Sequence, residues 1–336
     1  MGRKIIAAGA AALAVVAAPA AAQTESFWRG RSVAVAVGAP AGGGFDLAAR
    51  LVARHLGRHM PGEPTFVAQN MPGASGVRVL DWMWSVAPKD GSAIGITLPS
   101  AYLTKALEAG EARPHLYTWI GRVAAFRGYG VVWSTAPAAT FADARARPLS
   151  IGAEGPTGLA AVTASALNDL AGAKFNIVRG YKGGPDQGLA MERGELQGSG
   201  SMSWEYLDQQ GWIADGKVRF LYTIALAPYH RIPDVPVVAD LVEKPEDKAV
   251  LRLIASSTEI GRAFIAPPGI PAPRAETLRN GFAAMLKDPA FAEEADKLKL
   301  ELEPKTGEEM QALIGSAMDT SPAVIERTKV YMPGVK

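Results

Sequence analysis

The chain of 336 residues contains no cysteine. This absence excludes disulfide bonds, thiol catalysis and a lipid-modified N-terminal cysteine. A chain of this length buries enough apolar surface to fold without disulfides, so their absence does not argue against an oxidising compartment. An excess of charge is lacking too, because 35 Lys and Arg oppose 33 Asp and Glu, for a net charge of +2. We therefore predict no nucleic-acid partner and no anionic membrane surface as a partner.

Motifs for nucleotide binding and catalysis are also missing. Gly42, Gly43 and Gly44 are contiguous, so they do not fit the G-x-G-x-x-G fingerprint, and no G-K-[ST] follows them. The sequence has no G-x-S-x-G nucleophile elbow. His55 and His59 have the spacing of a helical metal pair but lack an adjacent glutamate and a third ligand. We predict no catalytic residue, no metal and no cofactor, and hence no enzymatic activity.

The first 22 residues are typical of a secretory signal peptide. Arg3 and Lys4 form its charged region, residues 5–18 its apolar core, and three alanines precede Gln23. The apolar core is too short and too rich in alanine to span a membrane comfortably. We expect cleavage after Ala22 and a periplasmic mature protein.

After this segment, apolar β-branched runs alternate with helical patterns, which is typical of an α/β fold with largely parallel strands. Strands are predicted at 32–37, 65–68, 93–98, 130–133, 149–153, 175–178, 218–224 and 263–266. Helices are predicted at 46–59, 77–86, 141–146, 159–170, 186–193, 247–256, 273–286, 289–298 and 307–331. Short crossovers near 121–129 and 261–268 would join two domains, 23–125 plus 265–336 and 126–264.

The strongest indication of a ligand site is a strand that runs through three glycines into an amphipathic helix. The first N–H groups of a helix have no acceptor within it, and its dipole is positive at that end, so an anion binds there. Glycines let a ligand approach the main chain closely. The residues predicted to form this site are Ala41, Gly42, Gly43, Gly44, Phe45 and Asp46. Asp46 is expected to cap the helix, to contact the ligand, or to do both.

Other loops after strands are predicted to face this one across a cleft. Their candidate ligand-binding residues are Ser100, Tyr102, Glu154, Gly155, Pro156, Thr157, Gly158, Tyr181, Lys182 and Trp204. The turn-rich segment 69–76 is predicted to wall the same cleft. Thr157 fits a helix N-cap as well as a ligand contact, and Lys182 fits a solvated side chain as well as a cleft residue.

Five segments together resemble the substrate-binding receptors of the tripartite tricarboxylate transporter family, the Bug-type periplasmic binding proteins. They are Ala39-Pro40-Ala41-Gly42-Gly43-Gly44-Phe45-Asp46, Gln69-Asn70-Met71-Pro72-Gly73-Ala74-Ser75-Gly76, Ala87-Pro88-Lys89-Asp90-Gly91, Gly180-Tyr181-Lys182-Gly183-Gly184-Pro185 and Phe264-Ile265-Ala266-Pro267-Pro268-Gly269-Ile270-Pro271.

The resemblance implies a two-domain periplasmic-binding-protein fold, of the Venus-flytrap, type II-like kind, with the ligand cleft between the domains. It implies that loops 41–46 and 154–158 hold a small carboxylated solute through main-chain groups and waters. It further implies a monomer that delivers the solute to the membrane subunits of a tripartite tricarboxylate transporter.

The sequence departs from the family pattern in the second loop, where a Gly-Ser and then a His are usual. Here the run is Glu154-Gly155-Pro156-Thr157-Gly158 without a nearby His. An acidic Glu154 would oppose a highly charged anion, so the expected solute is a mono- or dicarboxylate or another small polar acid, and not citrate. Two alternatives remain open, a secreted α/β enzyme that uses the same loops as an oxyanion site, and a ligand-sensing partner of a membrane sensor.

Overall fold

The computed structural model describes residues 27–317 and 320–335. The predicted signal peptide, 1–22, lies outside the described residues. Within those residues, no helix is both long enough and apolar enough to cross a membrane.

The strands of the described residues form two separate sheets. They are β1 (Ser32–Val37), β2 (Thr65–Asn70), β3 (Ala93–Ile96), β4 (Thr118–Arg122), β5 (Gly128–Trp133), β6 (Leu149–Gly152), β7 (Phe175–Val178), β8 (Gly198–Met202), β9 (Val218–Ile224), β10 (Ala263–Ala266) and β11 (Lys305–Thr306). The first sheet has the order β11-β4-β10-β3-β1-β2, and the second has the order β7-β6-β8-β5-β9. We call the part built on the first sheet lobe I and the part built on the second sheet lobe II.

Helices lie between most of the strands. They are α1 (Gly44–His55), α2 (Val77–Ser85), α3 (Pro99–Leu107), α4 (Phe141–Ala146), α5 (Leu159–Leu170), α6 (Gly184–Glu192), α7 (Trp204–Gln209), α8 (Pro245–Ser256), α9 (Ala272–Met285), α10 (Pro289–Lys297), α11 (Gly307–Ala317) and α12 (Pro322–Lys329). Helix α1 shows why these sequences form helices on a sheet. Its apolar residues Ala48, Leu51 and Val52 recur at helical spacing and are fully buried in the core of lobe I, whereas Arg54 on the opposite side is exposed.

Both sheets are mixed, so the prediction of largely parallel strands is wrong in part. Strand β1 is parallel to β2 and β3, and β6 is parallel to β7 and β8. Strand β10 is antiparallel to β3 and β4, and β5 is antiparallel to β8 and β9. The antiparallel strands β5 and β10 are those that the chain enters on passing from one lobe to the other.

The chain passes from lobe I to lobe II after β4 and returns to lobe I before β10, through two adjacent segments. The first crossover joins β4 to β5, and the second precedes β10. The two crossovers pair through their main chains, because Val123 N–H donates to the Arg262 carbonyl (3.1 Å) and Arg262 N–H donates to the Ala124 carbonyl (2.8 Å). Both crossovers lie where the sequence predicted them, and the two-domain α/β fold is confirmed. The domain boundaries 23–125 plus 265–336 and 126–264 stay a prediction.

All of the predicted strands are present, but β4, β8 and β11 were not predicted. Strand β8 reads Gly-Ser-Gly-Ser-Met, a composition typical of a loop, yet all five of its residues are buried. Helices α3 and α7 were also not predicted, since Ser100, Tyr102 and Trp204 were interpreted as loop residues. The predicted helix 307–331 is interrupted, because α11 ends at Ala317 and α12 begins with Pro322 at its first position.

Candidate functional site

A cleft of about 90 Å³ lies between the two lobes, at the carboxyl ends of parallel strands in both sheets. Lobe I contributes Ala39, Pro40, Gly43, Gly44, Phe45, Leu98, Pro99 and Ser100, and the first crossover contributes Phe126. Lobe II contributes Glu154, Leu159, Lys182, Gly183, Gly184, Pro185, Ser201, Met202, Ser203 and Tyr206. Helices α1, α3, α5 and α6 begin among these residues, so their N-terminal N–H groups are directed toward one space.

Two of these helices, one in each lobe, begin with two consecutive glycines. The first glycine loop (residues 39–45) leads into α1 through Gly43 and Gly44, and the third glycine loop (residues 179–185) leads into α6 through Gly183 and Gly184. In both, the N-cap is glycine and no side chain caps the helix. Because no side chain covers these helix ends, their main-chain groups are free to meet a ligand.

Asp46 supports the first glycine loop from behind and does not line the cleft. It is 2% exposed and occupies the third position of α1. Its carboxylate accepts hydrogen bonds from Gly42 N–H (2.9 Å), Arg50 Nε (3.0 Å) and Asn70 Nδ2 (2.8 Å). Burial raises the pKa of Asp46, but the hydrogen bonds from Arg50, Gly42 and Asn70 outweigh burial and hold this pKa below its ordinary value. Asp46 thus does not cap the helix, as the sequence suggested it could, but holds the loop before the helix through Gly42 N–H, and both of its oxygens are engaged within lobe I.

Glu154 occupies a similar place in the second glycine loop (residues 153–158) but in an uncharged environment. Its Oε1 accepts from Gln187 Nε2 (3.2 Å), and Gln187 Oε1 accepts from Ser199 Oγ (2.5 Å). Gln187 is fully buried, and Glu154 Oε2 is a buried atom without a hydrogen-bond partner. Burial raises the pKa of Glu154 above its ordinary value. The neutral acid is therefore favoured, so the charge repulsion expected from the sequence is reduced.

The loops of the two lobes contact each other across the cleft. A Cβ placed on Gly155 would lie 3.1 Å from Ser75 Oγ, and one placed on Gly183 would lie 3.0 Å from Pro40 Cγ. Ser75 belongs to the segment 69–76, which the sequence predicted to wall the cleft. Its φ of 51° is in the left-handed region, an uncommon conformation for a residue other than glycine, and its Oγ is buried without a partner.

Arg262 lies on the second crossover, beneath the cleft, and is fully buried. Its guanidinium donates to the Ala125 carbonyl (2.8 Å) and to Glu205 Oε2 on α7 (2.8 Å), with a longer contact to the Gly44 carbonyl (3.4 Å). The guanidinium also lies over the rings of Phe45 and Phe126, which are themselves 5.4 Å apart. One side chain therefore joins the first glycine loop, both crossovers and lobe II.

The structure brings some of the predicted site residues together and places others elsewhere. Those that line the cleft are Gly43, Gly44, Phe45, Ser100, Glu154 and Lys182. Those that do not line it are Ala41, Gly42, Asp46, Tyr102, Gly155, Pro156, Thr157, Gly158, Tyr181 and Trp204. Gly158, and not Thr157, is the N-cap of α5. The ligand-binding role of the residues that do line the cleft stays a prediction.

Two predicted aromatic residues belong to other parts of the molecule. Tyr102 is buried in the core of lobe I against Trp119, with ring centroids 5.3 Å apart. It borders a second cavity of about 240 Å³, which shares no lining residue with the cleft. Trp204 stacks on Phe220, at 5.6 Å between centroids, and packs beside Tyr129. Both positions follow a strand, but their side chains point into aromatic clusters and not into the cleft.

Several residues of the cleft were missed from the sequence. Phe126, Ser201, Met202 and Ser203 carry no motif, and their positions depend on how the two sheets face each other. The third glycine loop did carry a signal, because Gly183-Gly184-Pro185-Asp186 repeats the pattern of Gly43-Gly44-Phe45-Asp46. Asp186 Oδ2 accepts from Lys182 N–H (3.2 Å), as Asp46 accepts from the residue four positions before it.

The histidine pair of α1 and the turn that follows it contacts acidic side chains of α10 and its N-cap. His55 Nε2 lies 2.5 Å from Glu294 Oε2, and His59 Nε2 lies 3.0 Å from Asp288 Oδ2. Within 27–317 and 320–335, no group of three or more His, Cys, Asp or Glu side chains is arranged to hold a metal ion.

Comparison with known proteins gives the fold a context. No protein-family model matches the sequence. The chain is 25% identical over 331 residues to the UPF0065 protein in the gbd 5′ region of Cupriavidus necator, a match that covers 96% of this chain and 94% of that one.

Solved structures of periplasmic binding proteins share the fold at low sequence identity. The periplasmic binding protein BugD superposes with a TM-score of 0.69 at 20% identity, covering 91% of this chain and 98% of that one. An R. palustris protein, Rpa4515, determined with adipate, gives 0.67 at 19% identity, with coverages of 91% and 98%. MatC from Rhodopseudomonas palustris, with bound malate, gives 0.64 at 17% identity, with coverages of 88% and 99%. The resemblance predicted from the sequence is thereby confirmed, and this chain has the two-domain fold of the periplasmic binding protein BugD.

Proposed function

We propose that this protein is a periplasmic solute-binding protein without catalytic activity. It captures a small carboxylated solute between its two lobes and delivers the solute to the membrane subunits of a tripartite tricarboxylate-type transporter. The leader predicted at 1–22 would direct it to the periplasm.

One observation carries this proposal, the convergence of uncapped helix N-termini from both lobes on a single cleft. The ends of α1 and α6 belong to different lobes, and each presents only glycine at its N-cap. An anion at such ends gains hydrogen bonds from main-chain N–H groups and a favourable interaction with the helix dipole. An anion that touches both lobes would hold them together, which is how binding and closure become linked. The solved structures with adipate and malate support a carboxylate as this anion.

The proposal is tested by titrating the purified protein, stripped of ligand by unfolding and refolding, with a panel of organic acids in a calorimeter. We expect saturable binding of at least one acid, and mass spectrometry of that acid after incubation should show no product. Absence of binding across a broad panel, or turnover of an acid, would contradict the proposal.

The variant Gly43→Asp tests whether the first glycine loop is part of the site. A Cβ at Gly43 meets only the Pro40 carbonyl oxygen, at 3.7 Å, so the new side chain fits without strain. Aspartate is also a favourable N-cap, so α1 should keep its stability. The added carboxylate opposes an anionic ligand, and like charges in contact cost several kcal/mol, so affinity should fall about 100-fold or more.

Gly110→Asp is the matched control, since its Cβ has no atom within 4 Å and the residue lies beyond the C-terminal end of α3. It should bind acids as the unmodified protein does. If Gly43→Asp binds as tightly as this control, the first glycine loop is not part of the site.

A further inference from the structure

Beyond the glycine loops, the cleft is lined mainly by apolar side chains, together with the neutral hydroxyl groups of Ser100, Ser201, Ser203 and Tyr206. Phe45, Phe126, Leu159 and Met202 line it and are buried, and Leu98 is half-buried. These side chains come from both lobes and from the first crossover, so apolar surface faces the ligand on several sides. A charged group on the ligand body would exchange its hydration here for apolar side chains and neutral hydroxyl groups, with no opposite charge.

Positive charge in the cleft is scarce. Among the described residues that line it, Lys182 is the one with a cationic side chain, and this side chain is exposed at the rim. The guanidinium of Arg262, beneath the cleft, is already bound by Ala125 and Glu205. The remaining ionisable group of the lining, Glu154, is itself an acid. A second carboxylate on the ligand would thus lie among apolar side chains and neutral hydroxyl groups, or beside Glu154.

The two glycine loops that begin α1 and α6 lie close together. Pro40 of the first loop is 3.0 Å from the Cβ position of Gly183 in the third loop. Their helix N-termini can therefore converge on one carboxylate from opposite lobes, with Lys182 beside it. The rest of the ligand is then left to the apolar walls.

We propose that the solute is a monocarboxylate with an apolar body, aliphatic or aromatic, in preference to a di- or tricarboxylate. This inference rests on the proposed function. Of the four helices that begin at the cleft, α3 starts with Pro99, which has no N–H, and the Glu154 carboxyl lies against the start of α5, 2.7 Å from the Cβ position of its N-cap Gly158. This leaves the N-termini of α1 and α6, with one cationic side chain, next to a wall formed by Phe45, Phe126, Leu159 and Met202.

The test is a calorimetric comparison of acids matched in length at neutral pH: acetate, butanoate and hexanoate against succinate and adipate, with benzoate as the aromatic member. Burial of one CH₂ contributes about 0.8 kcal/mol, which corresponds to about a four-fold gain in affinity. We expect affinity to rise by about this factor per CH₂ until the cleft is filled, and hexanoate to bind at least about ten-fold more tightly than adipate, whose second carboxylate must lose its hydration.

Two variants test whether the apolar side chains of the cleft contact the body of the ligand. Leu98→Ser should weaken hexanoate about ten-fold and leave acetate unchanged, because only the longer acid reaches that side chain. Leu226→Ser is the control, because Leu226 is 49% exposed and borders the second cavity instead. It should change neither acid.

The outcomes separate this inference from the proposed function. If succinate or adipate binds as tightly as the monocarboxylate of the same length, the inference is overturned and the solute-binding function stands. If affinity does not depend on chain length, or Leu98→Ser behaves like Leu226→Ser, the inference is overturned as well. If no acid of either kind binds, the proposed function fails, and the inference fails with it.

Discussion

Two buried carboxyl groups, that of Asp46 behind the first glycine loop and that of Glu154 in the second glycine loop, have opposite protonation preferences because their partners differ. Asp46 receives three hydrogen bonds that include one from a guanidinium, so its charged form is favoured. The partners of Glu154 are the neutral amide of Gln187 and main-chain N–H groups, with no cation among them, so burial dominates and its neutral form is favoured. The sequence showed an acid in each loop, but the sign of each shift depends on residues that are distant along the chain.

The raised pKa of Glu154 predicts a pH-dependent stability that Glu154→Gln removes. A carboxyl group whose folded-state pKa lies above its unfolded value binds more protons when folded, so its contribution is fully present below the ordinary value of 4.5 and is lost as the pH rises through the raised pKa. Glutamine keeps an oxygen that can accept from Gln187 and cannot ionise. Urea unfolding at several pH values should show the free energy of unfolding of the variant improving, relative to the unmodified protein, as the pH rises from 4 to 8.

The exposed Glu195 in the same lobe gives the control, Glu195→Gln, whose difference from the unmodified protein should not depend on pH over this range. Parallel pH profiles for the unmodified protein and Glu154→Gln would show that Glu154 is ionised in the folded protein.

At the scale of elements, the glycine loops before α1 and α6 are each held in place by an aspartate in the first turn of the helix that follows. Asp46 and Asp186 each occupy the third helical position and accept from the N–H four residues earlier. The two sites differ in burial, because Asp46 is buried and also binds Arg50, whereas the hydrogen bond to Asp186 is exposed. The repeated Gly-Gly-x-Asp pattern is local, and this is why the sequence alone was able to predict the first loop.

Replacement of these two aspartates should therefore have unequal effects. Asp46→Ala removes hydrogen bonds to a charged, buried acceptor, which are worth about 1.5–3 kcal/mol each, so we expect a loss of about 3 kcal/mol in the free energy of unfolding and weaker binding of acids. Asp186→Ala, the matched variant in lobe II, should lose less than about 1 kcal/mol. Equal losses for the two variants in urea unfolding would contradict this account of the first glycine loop.

At the scale of the whole molecule, the two lobes are joined by the paired crossovers and by the buried ion pair between Arg262 and Glu205. Arg262 belongs to the second crossover, and Glu205 belongs to lobe II. Their side chains are 1% and 13% exposed. Because a buried charge without its partner is costly, movement of the lobes apart must either break this pair or hydrate it.

Glu205→Gln should consequently weaken the contact between the lobes. We expect the ligand-free variant to have a larger radius of gyration by small-angle X-ray scattering, and its affinity for acids to fall about ten-fold. Arg262 without its ionic partner destabilises the closed form by several kcal/mol, and the open form is destabilised less because water can hydrate the guanidinium there. Asp208→Asn removes the same charge from the same helix and leaves the ion pair intact. If both variants scatter alike and bind alike, the ion pair does not connect the lobes.

The sequence by itself determined the elements whose cause is local. Apolar β-branched runs gave the strands β1, β7, β9 and β10 with their observed bounds, and helical periodicity gave α4 and α5 in the same way. The first glycine loop and the two crossovers were located because glycine and proline mark such positions directly.

Only the tertiary structure decided which of these elements meet. Strand β8 is held by its neighbours in the second sheet and not by its own propensity, and the direction of β5 and β10 depends on the crossing of the chain between lobes. Phe126, Met202 and Arg262 reach the cleft or its floor because two sheets face each other, so no local pattern could mark them. Local chemistry made the helix ends that favour an anion. Long-range packing determined that these ends share one space, that apolar side chains lie beside them, and that Asp46 and Glu154 have opposite protonation preferences.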